Sequence, residues 1–380
     1  MSDLLIFFAV LLFALFVTGL FFYGLWKLIY GFFSQPRVQE FIQEALELVR
    51  HGANPILRTG PYHWEADSVL NPGAVHIDGK THLFYRAIGA DGVSRIGYAA
   101  SNDGANFDDR LPYPVYSLNS SGTDRAYMEA NYPELLASGG SWGGCEDPRA
   151  VVIGDRLYLS FSAFYGWHSL RIGVVSIALQ DFLKRNWNWS RPSFLSPSNQ
   201  VHKNWVLFPE KINNQFAILH SVSPKIEVAY RDNLQNVGGS EAYIDSPKGA
   251  RVQGREGHWD NWVRGAGAPP LKTKFGWLLF YHATDREHFG HQYRLGAMIL
   301  DLLDPTKVLA RSPAPILIPE AQYENDGKPG IVYACGATIK DDTLHVYYGG
   351  GDKVVCAATA NLQTFLDTLM HFGTPQLARA

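Results

Sequence analysis

The sequence predicts an all-β chain, a five-bladed β-propeller, preceded by one N-terminal transmembrane helix. Three observations predict this. Beyond residue 55 helical periodicity nearly disappears, and short apolar runs recur between Gly, Asp, Asn and Pro. A turn and an aromatic strand followed by a second strand recur five times, at a spacing of roughly 60–75 residues, as a radial repeat of four-stranded blades requires. The run from Leu4 to Trp26 carries no charged side chain.

Taken in order, residues 1–33 read as an anchor. At ~1.5 Å per residue the apolar run would cross a ~30 Å hydrocarbon core. Tyr23 and Trp26, with Tyr30 beyond, stand where an interfacial aromatic belt would. A cleaved signal peptide fits poorly, because Asp3 is the only charge ahead of the run and no clear small-x-small site follows. With Lys27 and Arg37 behind it, the positive-inside rule places the C-terminal bulk on the cytoplasmic side of a membrane, as a single-pass protein. Residues 34–54 read as an amphipathic linker helix opened by Ser34-Gln35-Pro36, with Val38, Phe41, Ile42, Ala45, Leu46 and Val49 on one face.

Residues 55–375 hold the repeats. The aromatic strands are 78–87, 154–163, 213–220, 275–283 and 341–349; their partners include Arg95-Ile96-Gly97-Tyr98-Ala99, Arg171-Ile172-Gly173-Val174-Val175 and Arg294-Leu295-Gly296-Ala297-Met298. An irregular sandwich is the competing architecture. In a propeller the innermost strands face a central channel, so the segments opening each blade converge. These are Asn71-Pro72-Gly73-Ala74, Glu146-Asp147-Pro148-Arg149, Phe208-Pro209-Glu210-Lys211, Gly265-Ala266-Gly267-Ala268-Pro269-Pro270 and Ala334-Cys335-Gly336-Ala337.

A net charge of −3 gives no electrostatic case for nucleic acid. Ten Trp, 19 Tyr and 22 Phe suit sugar stacking, although core packing accounts for most of them. Cys145, Cys335 and Cys356 form no CxxC pair and no metal spacing, so neither a cofactor nor a metal is expected and a reducing compartment suits the chain. The chemistry concentrates in Cys145-Glu146-Asp147-Pro148-Arg149, where Pro148 stiffens the turn and should push Asp147 towards an extended backbone. A stiff acid at a strand entrance can be aimed as general acid catalysis needs; an exposed turn with a surface ion pair is the plain alternative.

With the first four blade-opening segments, the third extended to Leu207, and Tyr347-Tyr348-Gly349-Gly350-Gly351-Asp352 in this order, the chain resembles glycoside hydrolase family 130, the mannoside phosphorylases and related β-mannosidases, over about residues 53–370. The resemblance implies cleavage of a β-mannosidic bond by single displacement with inversion, with Asp147 as general acid, its proton passing through a sugar hydroxyl in the phosphorylases. It also implies that Arg86, Asn71 and Asp352 hold the non-reducing mannose. His220 and His282, at equivalent ends of blades three and four, are sugar or phosphate ligands or satisfied core histidines, and Lys211 holds a turn.

Phosphorolysis needs cations for inorganic phosphate as co-substrate. Lys203 and Arg264 occupy two family positions for this; a third, Arg in the phosphorylases, reads His220-Ser221 here. That gap tilts the expectation towards hydrolysis, with phosphorolysis releasing mannose 1-phosphate as the alternative. A hydrolase then needs a second carboxylate as base, ~6.5–9.5 Å from the acid; Glu227 and Glu256 are the candidates. A sugar-binding propeller without catalysis is the reading from another class.

Overall fold

The computed structural model describes residues 15–27, 36–118, 139–166, 169–234, 243–244, 254–285 and 292–375. The chain divides into two units, Met1–Leu46 and Glu47–Ala380.

In the first unit α1 covers residues 15–27 and α2 covers Pro36–Leu46. Pro36 at the first helical position suits α2, since that residue's N–H would have no intrahelical partner anyway. The transmembrane expectation is corrected here. No helix among the described residues is long and apolar enough to cross a membrane. Of the anchor expected over 1–33, residues 1–14 and 28–33, Tyr30 included, lie outside the described residues. The membrane-anchored location and the cytoplasmic orientation, both deduced from that helix, fall with it. The linker helix expected over 34–54 is helical over Pro36–Leu46, and by Val49 the chain is already a strand.

The second unit is all-β around one axis. Its first strand is β1 (Val49–Arg50). Blade one is β2 (Ser68–Ile77), β3 (Lys80–Ile88), β4 (Val93–Ser101) and β5 (Asp109–Arg110). Blade two is β6 (Gly143–Ile153), β7 (Arg156–Phe164), β8 (Leu170–Ala178) and β9 (Ser193–Phe194). Blade three shows β10 (Val206–Leu207), β11 (Phe216–Ser221) and β12 (Glu227–Arg231). Blade four is β13 (Trp262–Ala266) with its continuation β14 (Leu271–Lys272), then β15 (Trp277–Thr284), β16 (Arg294–Leu300) and β17 (Val308–Arg311). Blade five is β18 (Val332–Lys340), β19 (Thr343–Gly350) and β20 (Val354–Asn361). Its outer edge is covered by β1, which pairs Val49 with Thr359 and Arg50 with Ala358, so the start of the unit closes the ring.

Both faces of each blade are buried, which is why the strands read as nearly continuous apolar runs. Alternation along β3 sends Leu83 and Tyr85 into a cluster with Tyr347 and Val355 of blade five, and Phe84 into one with Leu159 and Phe161 of blade two. Ile218 and Leu219 divide in the same way between blades two and four. The innermost segments of all five blades, among them Val75, Val151, Pro209, Pro270 and Ile339, line one axial cavity of 250 Å³.

A latch recurs in three blades. The Tyr85 hydroxyl donates to Glu65 at 2.9 Å and accepts from Arg110 of β5 at 2.9 Å. The Tyr281 hydroxyl donates to Asp260 at 2.8 Å and accepts from Arg311 of β17 at 3.0 Å. Tyr348 donates to Glu324 at 2.8 Å, and Arg50 of β1 donates to the same carboxylate at 2.9 Å. The glycines of Arg95-Ile96-Gly97 and Arg294-Leu295-Gly296 make room for two of these tyrosines. A Cβ at Gly97 would stand 2.3 Å from the Tyr85 ring, and one at Gly296 2.4 Å from the Tyr281 ring.

Candidate active site

At one mouth of the channel the innermost strands are bulged. The register of β2 slips between Leu70 and Gly73, that of β6 between Glu146 and Arg149, that of β13 between Val263 and Gly265, and that of β18 between Ala334 and Gly336. A bulge re-aims the side chains within it and tolerates proline, which is why Asn71-Pro72 and Asp147-Pro148 can sit inside central strands. Asn71 and Asp147 have φ of 47° and 50°, and Asp352, on the loop after β19, has 53°. Asn and Asp are the non-glycine residues that best tolerate this left-handed region. The extended backbone expected at Asp147 is therefore not what forms: the demands of the bulge outweigh the preference set by Pro148.

Asp147 is 4% exposed. Its Oδ1 accepts from Asn71 Nδ2 at 2.8 Å and from an Arg86 terminal nitrogen at 3.3 Å. Burial pushes its carboxyl up, but the charges of Arg86, Lys203 and Arg149 and the Asn71 bond outweigh burial, and the group lies below the ordinary carboxylate value. Arg86 is itself buried. It donates from Nε to Ser94 at 2.9 Å, and its other terminal nitrogen donates to Ser141 at 2.9 Å and to Glu146 at 3.0 Å. Glu146 also accepts from Lys203 Nζ at 3.3 Å. Asn71 Oδ1 is buried with no protein donor and packs against Gly349, where a Cβ would stand 2.1 Å from it.

Asp352 lies beside Lys328 at 3.6 Å. Burial pushes its carboxyl above the ordinary value and the Asp147 charge adds to this, against Lys328 and Arg86. Two carboxyls at one mouth are thus driven in opposite directions, the pattern that separates protonation roles. Arg149 is fully engaged: Nε donates to Gly267 O at 2.9 Å, and its terminal nitrogens to Asp147 O at 2.8 Å and Asn204 Oδ1 at 3.1 Å. Arg264 is exposed and lies over the Tyr293 ring at 5.3 Å.

His282 is fully buried. Its Nε2 accepts from Ala334 N at 2.9 Å and its ring stacks on Tyr333 at 4.0 Å, so its proton sits on Nδ1, which has no protein partner. Burial, then Arg149, lowers its pKa to about 3. His82, between blades one and two, is likewise lowered to about 4, chiefly by burial. Both are neutral at pH 7. Unfolded histidines take up a proton near pH 6.5, whereas these do so only near their lowered values, so stability is lost as pH falls below 6.5, by up to ~1.4 kcal/mol per pH unit for each group. We expect the denaturant midpoint to fall steadily from pH 6.5 to 4; a flat profile would mean that the two rings are charged in the folded state.

Asn71, Arg86, Asp147 and Lys203 are thus brought together directly or through Glu146, while Asp352, His282 and Arg264 stand within electrostatic reach. The candidate bases make no direct bond to Asp147, and an inverting base need not. The side-chain partners of Asp147 are Asn71 and Arg86, and neither Glu227 nor Glu256 is among them. Glu227 pairs with Lys225 at 3.0 Å and lies 3.9 Å from His220, at the edge of blade three. Glu256 is exposed on a turn. Lys211 sits over the Phe216 ring. Reading the sequence missed Glu146 as the anion that ties Arg86 to Lys203. It also missed Asn204 and Tyr333, whose one visible signal was adjacency to Lys203 and Ala334. Among the described residues no group of three or more His, Cys, Asp or Glu side chains is placed to hold a metal ion.

Comparison with known proteins adds three findings. The model of glycoside hydrolase family 130, described as β-1,4-mannooligosaccharide phosphorylase, matches residues 58–371. A 1,2-β-oligomannan phosphorylase of Thermoanaerobacter sp. is 35% identical over 327 residues, spanning 84% of this chain and 98% of the relative. Two solved structures share the fold. One is a β-1,2-mannobiose phosphorylase from Listeria innocua in complex with β-1,2-mannobiose (TM-score 0.61, 24% identity, 85% of this chain and 99% of the other). The second comes from work on family 130 hydrolases that target β-1,2 mannosidic linkages in Candida mannan (TM-score 0.65, 22% identity, 83% of this chain and 94% of the other).

Proposed function

The chain belongs to glycoside hydrolase family 130, and on that premise we propose that it cleaves β-1,2-linked mannosides by phosphorolysis, with inversion, releasing mannose 1-phosphate. It is a glycosidase or glycoside phosphorylase acting on mannosides; the choice of nucleophile and the linkage are the proposal. The fold leaves the nucleophile open, since structures of both kinds share it. The observation that carries phosphorolysis is that two cations reach one mouth: the Lys203 charge acts on Asp147, and the Arg264 charge acts on His282, which Asp147 also reaches. The hydrolytic expectation rested on a cation missing at His220-Ser221. The 1,2-β-oligomannan phosphorylase supports both the nucleophile and the linkage over the β-1,4 description of the family.

In this reading the non-reducing mannose sits against Asn71, Arg86 and Asp352. A phosphate oxygen attacks the anomeric carbon, the glycosidic bond breaks with its electron pair going to the leaving oxygen, and that oxygen takes the proton of Asp147, passed through a sugar hydroxyl. Asp147 is held anionic in the absence of ligands. A phosphate at Lys203 and Arg264 brings negative charge that offsets their field and raises the Asp147 pKa, so nucleophile binding and protonation of the acid are linked.

The test is product analysis on β-1,2- and β-1,4-mannobiose, with and without inorganic phosphate. Mannose 1-phosphate formed only with phosphate, and faster from the β-1,2 substrate, is the expected result. Free mannose at a rate indifferent to phosphate would overturn the proposal.

A further inference from the structure

We propose that Asn204 is the positioning residue of the nucleophile site, setting phosphate affinity by fixing Lys203 and Arg264 relative to each other. The inference rests on the phosphorolysis reading. Asn204 is 8% exposed and holds a left-handed φ of 64°. Its carboxamide joins four blades. Nδ2 donates to the backbone carbonyl of Arg264 at 2.8 Å, in blade four. Oδ1 accepts from Arg149 of blade two at 3.1 Å and from the Tyr333 hydroxyl of blade five. Its own backbone continues from Lys203 into blade three.

The packing is equally specific. Gly265, φ 126°, follows Arg264, and a Cβ there would stand 2.7 Å from Asn204 Cβ and 2.8 Å from Nδ2. The glycine leaves the room that the carboxamide fills, and only Gly adopts that backbone conformation freely. One side chain therefore determines where the residue before it and the residue whose carbonyl it holds place their cations. Both cations end long, flexible stems, and holding their backbones in register lowers the entropy lost when they close on one anion. Asp147 does not depend on this amide, because Arg149 retains its bonds to Gly267 O and Asp147 O.

Asn204→Ala should raise the KM for phosphate by about 10-fold or more, the scale of a lost hydrogen bond and a loosened site. The KM for mannoside should stay within about twofold, and kcat at saturating phosphate should fall far less than the phosphate KM rises. The upward shift in melting temperature that inorganic phosphate gives the parent protein should shrink in the variant. Tyr333→Phe keeps the stack on His282 and removes one of the two bonds to Oδ1. It should show a smaller rise of the same kind, and it carries the test if Asn204→Ala does not fold. A purely structural role would lower kcat or stability with the phosphate KM unchanged, and that result overturns the inference while leaving phosphorolysis standing. A parent protein that releases free mannose regardless of phosphate overturns both.

Discussion

Asp147→Asn is expected to lower kcat by about 10²–10⁴-fold, the usual contribution of a positioned general acid. Asparagine is nearly isosteric and tolerates the left-handed backbone that Asp147 holds at φ 50°. Its carbonyl oxygen can still accept from Asn71 and Arg86, so the fold should persist. Arg86 also keeps Glu146 at 3.0 Å, which limits the cost of losing one anion. The comparison to make is kcat for the variant and its parent at saturating phosphate and mannoside, beside their denaturation curves. The loss should be confined to kcat, because Asn71 and Asp352, the residues proposed to hold the mannose, are untouched. Substrates with a good leaving group should recover much of the rate, since their departing oxygen needs no proton. Turnover within a few-fold of the parent would remove Asp147 from the acid role.

That assignment was open to reading because its chemistry is local. Glu146-Asp147-Pro148-Arg149 is contiguous, and five repeated strands were enough to bring the blade-opening segments to one mouth. What stayed hidden was whatever depends on three dimensions. The register slip between Glu146 and Arg149 moves Asp147 out of the extended conformation that Pro148 alone would favour. Asn204 carries no reactive group, so nothing in composition singles it out; its importance lies in partners 55 residues away at Arg149, 60 at Arg264 and 129 at Tyr333. Glu227 and Glu256 were chosen for being carboxylates; Glu227 stands on β12 and Glu256 on an exposed turn. The membrane anchor was read from an apolar run, which measures composition, and among the described residues no helix is long and apolar enough to cross a bilayer.

Arg86→Met is expected to be the most damaging single change to stability, costing about 3–5 kcal/mol at pH 7, the range for breaking a buried ion pair from one side. Arg86 is 2% exposed, Glu146 is fully buried and Asp147 is 4% exposed, so two carboxylates would be left in a site with little water. Lys203 would remain for Glu146 at 3.3 Å and Asn71 for Asp147, which partly offsets the loss. The pH dependence identifies the cause. Without the guanidinium, burial dominates and the folded carboxyl pKa values rise above their unfolded values near 4. The unfolded state then releases its protons first as pH rises, so the penalty grows from about pH 4 upwards and the variant approaches its parent in acid. A cavity left by a shortened side chain would cost the same at every pH. Arg86→Lys restores a charge but not the fork that reaches Ser94, Ser141, Glu146 and Asp147 together, so it should recover part of the stability and little of the activity. Denaturant midpoints for all three proteins between pH 4 and 8 separate these causes. A midpoint for Arg86→Met equal to the parent's at pH 7 would mean that Glu146 and Asp147 are not held as anions by Arg86.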